Sequence, residues 1–118
     1  MSTYSVLVTS SPYDSSRSLD AVRFCQQLLE TGQELGQVFF YQAGIYNAMG
    51  SMIPTNGEVN LFEAWTRISN ESGAALRVCV TAGEKRGVTS QVCSSPFEQT
   101  GLAEFFTALH DSDKLVQF

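Results

Sequence analysis

At 118 residues the chain is expected to form one domain, residues 1–118, and its 43% apolar content, with eight Phe, four Tyr and one Trp, can fill a core without disulfide or metal staples. Twelve acidic against seven basic residues give a formal charge of −5, a poor balance for gripping phosphate backbones, so direct nucleic-acid binding is disfavoured. Charged residues at only 16%, with no low-complexity run, argue against disorder.

The first strand is expected at Ser5–Thr9, a short run rich in β-branched residues. The stretch before it carries no basic segment, and no run approaches the ~18 consecutive apolar residues of a membrane span. Neither an export signal nor a membrane partner is expected; the compartment is read as cytoplasmic and the three cysteines as free thiols. Ser10 to Ser16, interrupted by Pro12, breaks the strand and offers serine caps for a helix over Arg17–Thr31. Ala21, Val22, Cys25, Leu28 and Leu29 give that helix one apolar face, and Gly32 can close it.

A second strand, Gln37–Tyr41, is apolar on both faces, as a strand covered from both sides should be. A long loop from Gln42 to about Glu58 follows, and loops of that length in compact domains are usually functional or mobile. The second helix, about Asn60–Ser72, carries Leu61, Phe62, Trp65 and Ile68 and ends at Gly73. A third strand at Ala75–Val80 leads into a turn-rich segment, Thr81–Pro96. A fourth strand near Phe97–Thr100, a helix bearing Leu102, Phe105, Phe106 and Leu109, and a fifth strand at Lys114–Phe118 complete the chain. This alternation implies an α/β protein, a three-layer α/β/α sandwich around a five-stranded, mainly parallel sheet of flavodoxin or Rossmann type. Chemistry in such sheets collects at the carboxyl ends of the strands, which selects the loops Ser10–Ser16, Gln42–Glu58 and Thr81–Pro96.

Cys79 stands at the mouth of the third loop. A helical turn starting there would offer free N–H groups to a thiolate, and Arg77, Lys85 and Arg86 make a local basic patch in an acidic chain. Strand periodicity puts Cys79 with Arg77 and Thr81 on the more polar face, opposite Leu76, Val78 and Val80. The competing reading is a core cysteine at a strand end. Cys25 reads as a small core hydrophobe, and Cys93 as an incidental or second thiol. His110, at a helix end beside Asp111, reads as a solvated terminus rather than half of a Cys–His pair. Cys79 and Cys93 lack the spacing of a zinc site, and no Gly-rich phosphate loop of either common kind is present. Tyr13 and Asn47, on the other two strand-end loops, are expected to line the entrance to Cys79 on topology alone.

With these residues located, the chain resembles the DsrE family. The resemblance is carried by Pro12-Tyr13, by Val38-Phe39-Phe40-Tyr41 leading into Gly44-Ile45-Tyr46-Asn47-Ala48, and by Ala64-Trp65. It continues through Val78-Cys79-Val80 with Arg86-Gly87-Val88, Thr100-Gly101-Leu102 and the closing Leu115-Val116-Gln117-Phe118. It implies a sulfurtransferase that holds persulfide sulfur on Cys79, with Lys85 and Arg86 stabilising the anion and with no cofactor or metal. The implied partners are TusB-like and TusC-like subunits in a hetero-oligomer, a TusA-like sulfur donor and a TusE-like acceptor. The implied end product is 2-thiouridine at tRNA wobble positions, or handled sulfur in a DsrEFH-like oxidation system. A non-catalytic scaffold subunit and a small flavodoxin-like nucleotide or flavin binder are the alternatives. Against the family pattern, the segment after Val88 is shorter by about a dozen residues, and Cys93 matches no family position.

Overall fold

Parallel strands need crossovers, and the right-handedness of those crossovers decides which face each helix covers. A computed structural model describes residues 1–118. In chain order it contains β1 (Thr3–Val8), α1 (Arg17–Glu30), β2 (Glu34–Phe40), a 3-10 helix (Gln42–Ala48), α2 (Leu61–Ser72) and β3 (Ala75–Cys79). Then come α3 (Val80–Glu84), β4 (Glu98–Thr100), α4 (Leu102–His110) and β5 (Lys114–Gln117). The five strands form one sheet in the order β4-β3-β2-β1-β5, and every neighbouring pair is parallel. The expected α/β/α architecture is the one that forms.

From β1 to β4 the chain steps across the sheet in one direction. Right-handed crossovers therefore lay α1, α2 and the segment before β4 on the same face. The step from β4 to β5 reverses to the opposite edge, so α4 crosses the other face.

The α1/α2 face is dry. Val6, Val8, Val38, Phe40 and Val78 are fully buried there, and the Trp65 ring meets Phe40 edge-on with centroids 5.1 Å apart. Phe97, just before β4, packs on Phe40 at 5.2 Å and stacks on Phe62 at 5.4 Å. Asn60 caps α2 by accepting from the Glu63 amide, and the helix ends at Gly73, as expected, in a left-handed turn with φ 75°.

The α4 face is more polar. Phe105 of α4 covers Phe39 at 4.9 Å. Beside that pair, the buried Gln37 amide donates to Ser5 Oγ and to the Phe105 carbonyl, while its oxygen accepts from Arg77. With only nine residues of helix over it, this face leaves Phe106 and Leu115 about half exposed.

Two departures from the sequence reading concern loops. The Gln42–Glu58 loop opens with the 3-10 helix, which is pressed against β1: a Cβ on Gly44 would collide with the Val8 carbonyl. The turn-rich segment after Cys79 opens with α3, whose Gly83 backbone lies so close to the Val88 carbonyl that a side chain there would clash. Neither element is long enough to show an amphipathic period.

Candidate active site

The crossover geometry singles out one gap at the carboxyl edge of the sheet. The chain leaves β3 toward the α1/α2 face and leaves β4 toward the α4 face, so the two main chains part between these neighbouring strands. Such a parting is where open α/β sheets make their ligand crevice. Cys79 is the last residue of β3 and the N-cap residue of α3, with φ −64° and ψ 121°. Register pairs Arg77 with Phe39, so Cys79 lies on the α4 side of the sheet, the polar side, as the two-residue period indicated.

Cys79 is only 3% exposed, but that small exposure opens into a cavity of about 370 Å³. Thr81 and Ala82 of α3 form one wall, Tyr41 and Gln42 at the end of β2 another, and Gly101 and Leu102 at the start of α4 a third. Lys85 and Arg86 complete the lining, and no Asp or Glu contributes to it. The Arg86 guanidinium is held by donation to the Ala82 carbonyl at 3.1 Å. A five-residue helix offers a few aligned N–H groups rather than a full macrodipole, and Lys85 and Arg86 are the only full charges in the cavity lining.

Arg77 takes no part in this lining. One pleat back along β3, its guanidinium donates to Gln37 Oε1 at 3.3 Å, and it borders a different hollow with Glu104 of α4 and Asp111 just after that helix. The basic patch read from the sequence is therefore two residues, not three.

The structure brings Cys79, Lys85 and Arg86 together but separates them from Tyr13 and Asn47. These two line a smaller cavity of about 10 Å³ between the first loop, the 3-10 helix and α2. The reason is topological: β1 and β2 both send their connections toward the α1/α2 face, away from the β3/β4 gap. Asn47 is buried and braces that side; its amide donates to the Gly44 carbonyl and Ser18 Oγ, and its oxygen accepts from the Trp65 indole. The Tyr13 hydroxyl donates to the Val59 carbonyl and accepts from the Leu61 amide, pinning the start of α2.

The other cysteines have different surroundings. Cys25 is fully buried on α1, where loss of hydration pushes its thiol up to about 12. Cys93 is half-buried, its thiol also raised by burial and directed at the Phe97 carbonyl. His110 ends α4, whose first turn borders the Cys79 cavity; eight residues of helical rise separate the two, roughly 12 Å. A Cys–His pair is thereby excluded. No group of three His, Cys, Asp or Glu side chains gathers as a metal-holding cluster.

Two residues near the sulfur had no sequence signal. Gln42, on the cavity wall, has φ 50°, a left-handed backbone that is costly for any residue but Gly. Thr100, the last residue of β4, pairs directly with Cys79, and its hydroxyl is the one buried side-chain polar atom without a hydrogen-bond partner. The assembly is a nearly buried thiol that opens into a cavity also lined by two cationic side chains.

A family model described as the DsrE/DsrF-like family matches residues 3–118. Sulfurtransferase TusD of Sodalis glossinidius is 36% identical over 126 aligned residues, covering 98% of this chain and 97% of that protein. A Sulfurtransferase TusD homolog of Vibrio vulnificus is likewise 36% identical, covering 98% and 96%. Sulfurtransferase TusD of Salmonella newport is 32% identical, covering 98% of each chain. Among solved structures, the ychN protein of E. coli superposes with a TM-score of 0.87 over the full length of both chains; at 19% identity this is a likeness of fold. No helix is long and apolar enough to cross a membrane.

Proposed function

The chain belongs to the DsrE/DsrF-like family, and on that premise we propose that it is a sulfurtransferase that carries sulfane sulfur on Cys79. The observation that supports this most directly is the meeting of a recessed but open thiol with Lys85 and Arg86 in one cavity free of carboxylates. The name shared by its relatives, sulfurtransferase, points the same way.

In the loading step, the Cys79 thiolate attacks the outer sulfur of a donor persulfide. A new S–S bond forms at Sγ, the donor's S–S bond breaks, and the electron pair leaves on the donor's own sulfur as a thiolate. In the unloading step an acceptor thiolate attacks the outer sulfur on Cys79, and the pair returns to Sγ. Sulfur changes hands as a neutral atom with no net oxidation, so the exchange needs thiolates and access rather than a base or an external oxidant. Lys85 and Arg86 act on charge alone: they favour the thiolate before loading and the terminal S⁻ after it. The proposed donor is a TusA-like protein and the proposed acceptor a TusE-like one, within a cytoplasmic hetero-oligomer that includes TusB-like and TusC-like subunits. The proposed destination of the sulfur is 2-thiouridine in tRNA. On this reading the acidic chain meets carriers, and a later enzyme meets the RNA.

The test is mass spectrometry after incubation with a protein persulfide donor. The expected outcome is an adduct of about 32 Da, one sulfur atom, on the Cys79 peptide. Cys79→Ser should lose it entirely, while Cys25→Ser and Cys93→Ser keep it. An adduct that persists at full yield in Cys79→Ser ends the proposal.

A further inference from the structure

Thr100 presents a physical anomaly. A buried hydroxyl without a partner is a standing cost to the fold, because it has given up water and gained nothing. In this protein every other buried side-chain polar atom is satisfied, including all those of Gln37 and Asn47. The exception sits on the strand neighbouring Cys79, at the paired position, and paired residues of parallel strands project to the same side of the sheet. Gly101, the next residue, is already cavity wall. The Thr100 side chain thus projects to the same side of the sheet as Cys79, its hydroxyl hidden from solvent. In the resting arrangement it donates to nothing, Cys79 Sγ included, and a neutral thiol is in any case a weak acceptor. A thiolate is a strong one.

We propose that the Thr100 hydroxyl is held unpaired in the resting protein so that it can donate a hydrogen bond to Cys79 Sγ whenever that atom carries negative charge. Under the carrier role on which the inference rests, this is the state from the moment the acceptor takes the outer sulfur until the next loading. Thr100 then sets both how much thiolate exists and how readily Cys79 gives sulfur up, since a better-stabilised thiolate leaves faster.

Other groups around the sulfur do not differ between the variants that isolate this effect. Lys85 and Arg86 follow α3, and Tyr41 ends β2. Arg77, earlier on β3, is engaged by Gln37, and the Glu104 carboxylate in the first turn of α4 accepts from the Gly101 amide. Glu98 of β4 is exposed.

The experiment follows alkylation of the Cys79 peptide by iodoacetamide across pH in the intact protein, for wild type, Thr100→Val and Thr100→Ser. Thr100→Val removes the hydroxyl and keeps the shape. Its alkylation midpoint should rise by about one pH unit, a ten-fold loss of thiolate below the midpoint. A more basic thiolate is also a better nucleophile, so above both midpoints Thr100→Val should react roughly three-fold faster than wild type. The two profiles cross, which a general loosening of the fold would not produce. Thr100→Ser should return to the wild-type profile, and the melting temperature of Thr100→Val should be no lower than wild type, since it loses only an unpaired hydroxyl. Superimposed Val and wild-type profiles, or a Ser variant that tracks Val, overturn the proposal. If Thr100→Val does not fold, Thr100→Ala against Thr100→Ser makes the same comparison. Failure of wild type to load sulfur on Cys79 would instead count against the carrier role, and this alkylation profile does not depend on it.

Discussion

The sheet's two faces follow different rules, and two cysteines mark the contrast. On the α1/α2 face, Cys25 lies at 0% exposure among Ala21, Val22 and Leu28, and the only polar contacts near the core are closed ones such as Trp65 to Asn47. On the α4 face one short helix covers a layer that includes Gln37, Arg77 and Cys79, and near the end of that layer a cavity reaches the sulfur. The two thiols differ in what surrounds them: hydrocarbon that disfavours charge at Cys25, and an opening lined by two cations at Cys79. The closed packing lies on the first face, and the cavity that reaches Cys79 lies on the second.

The strongest challenge to that division is Trp65→Ala. Trp65 is fully buried and packs edge-on against Phe40, so its removal should cost about 3–5 kcal/mol of folding stability, read as a lower urea midpoint. In the population still folded, the alkylation profile of Cys79 should not move; a shifted profile would mean that the two faces are not separable. A second probe acts on the other face. Lys85→Glu reverses one of the two cavity charges and should slow the reaction of Cys79 with anionic iodoacetate about ten-fold in low salt, with a much smaller effect on neutral iodoacetamide. Raising the ionic strength should close the gap; equal slowing of both reagents would remove electrostatics from the account.

The smallest effect concerns Cys25. Its thiol is raised in the fold, from 9.0 to about 12, so the native state keeps a proton that the unfolded chain releases. Stability from this group is therefore complete below about pH 9 and drains away as pH climbs toward 12. Cys25→Ala should flatten that alkaline limb in urea titrations. An unchanged slope would show that the thiol does not control it.

The sequence carried the framework because the framework is periodic. Two-residue alternation put Cys79 on the polar face, and the apolar rows of α1, α2 and α4 marked the helices. Cys79, Lys85 and Arg86 were legible because they are close along the chain and the strand-end rule points at them. Tyr13 and Asn47 were misassigned in space because that rule names an edge but not a side; the side follows from strand order, which one sequence does not display. Thr100 was silent for a related reason. Its significance lies in being the neighbour of a residue 21 positions earlier, and no local pattern encodes a hydroxyl that goes without a partner.

The hollow beside Cys79 is produced by backbone routing, not by the trimming of side chains: two adjacent strands simply hand their chain to opposite sides. Residues 89–96 contribute nothing to its walls. That stretch can therefore lengthen, shorten or change character through evolution while the reactive atom keeps its seat. Under the proposed carrier role, such changes would alter the surface that a visiting protein meets and leave the Cys79 cavity as it is.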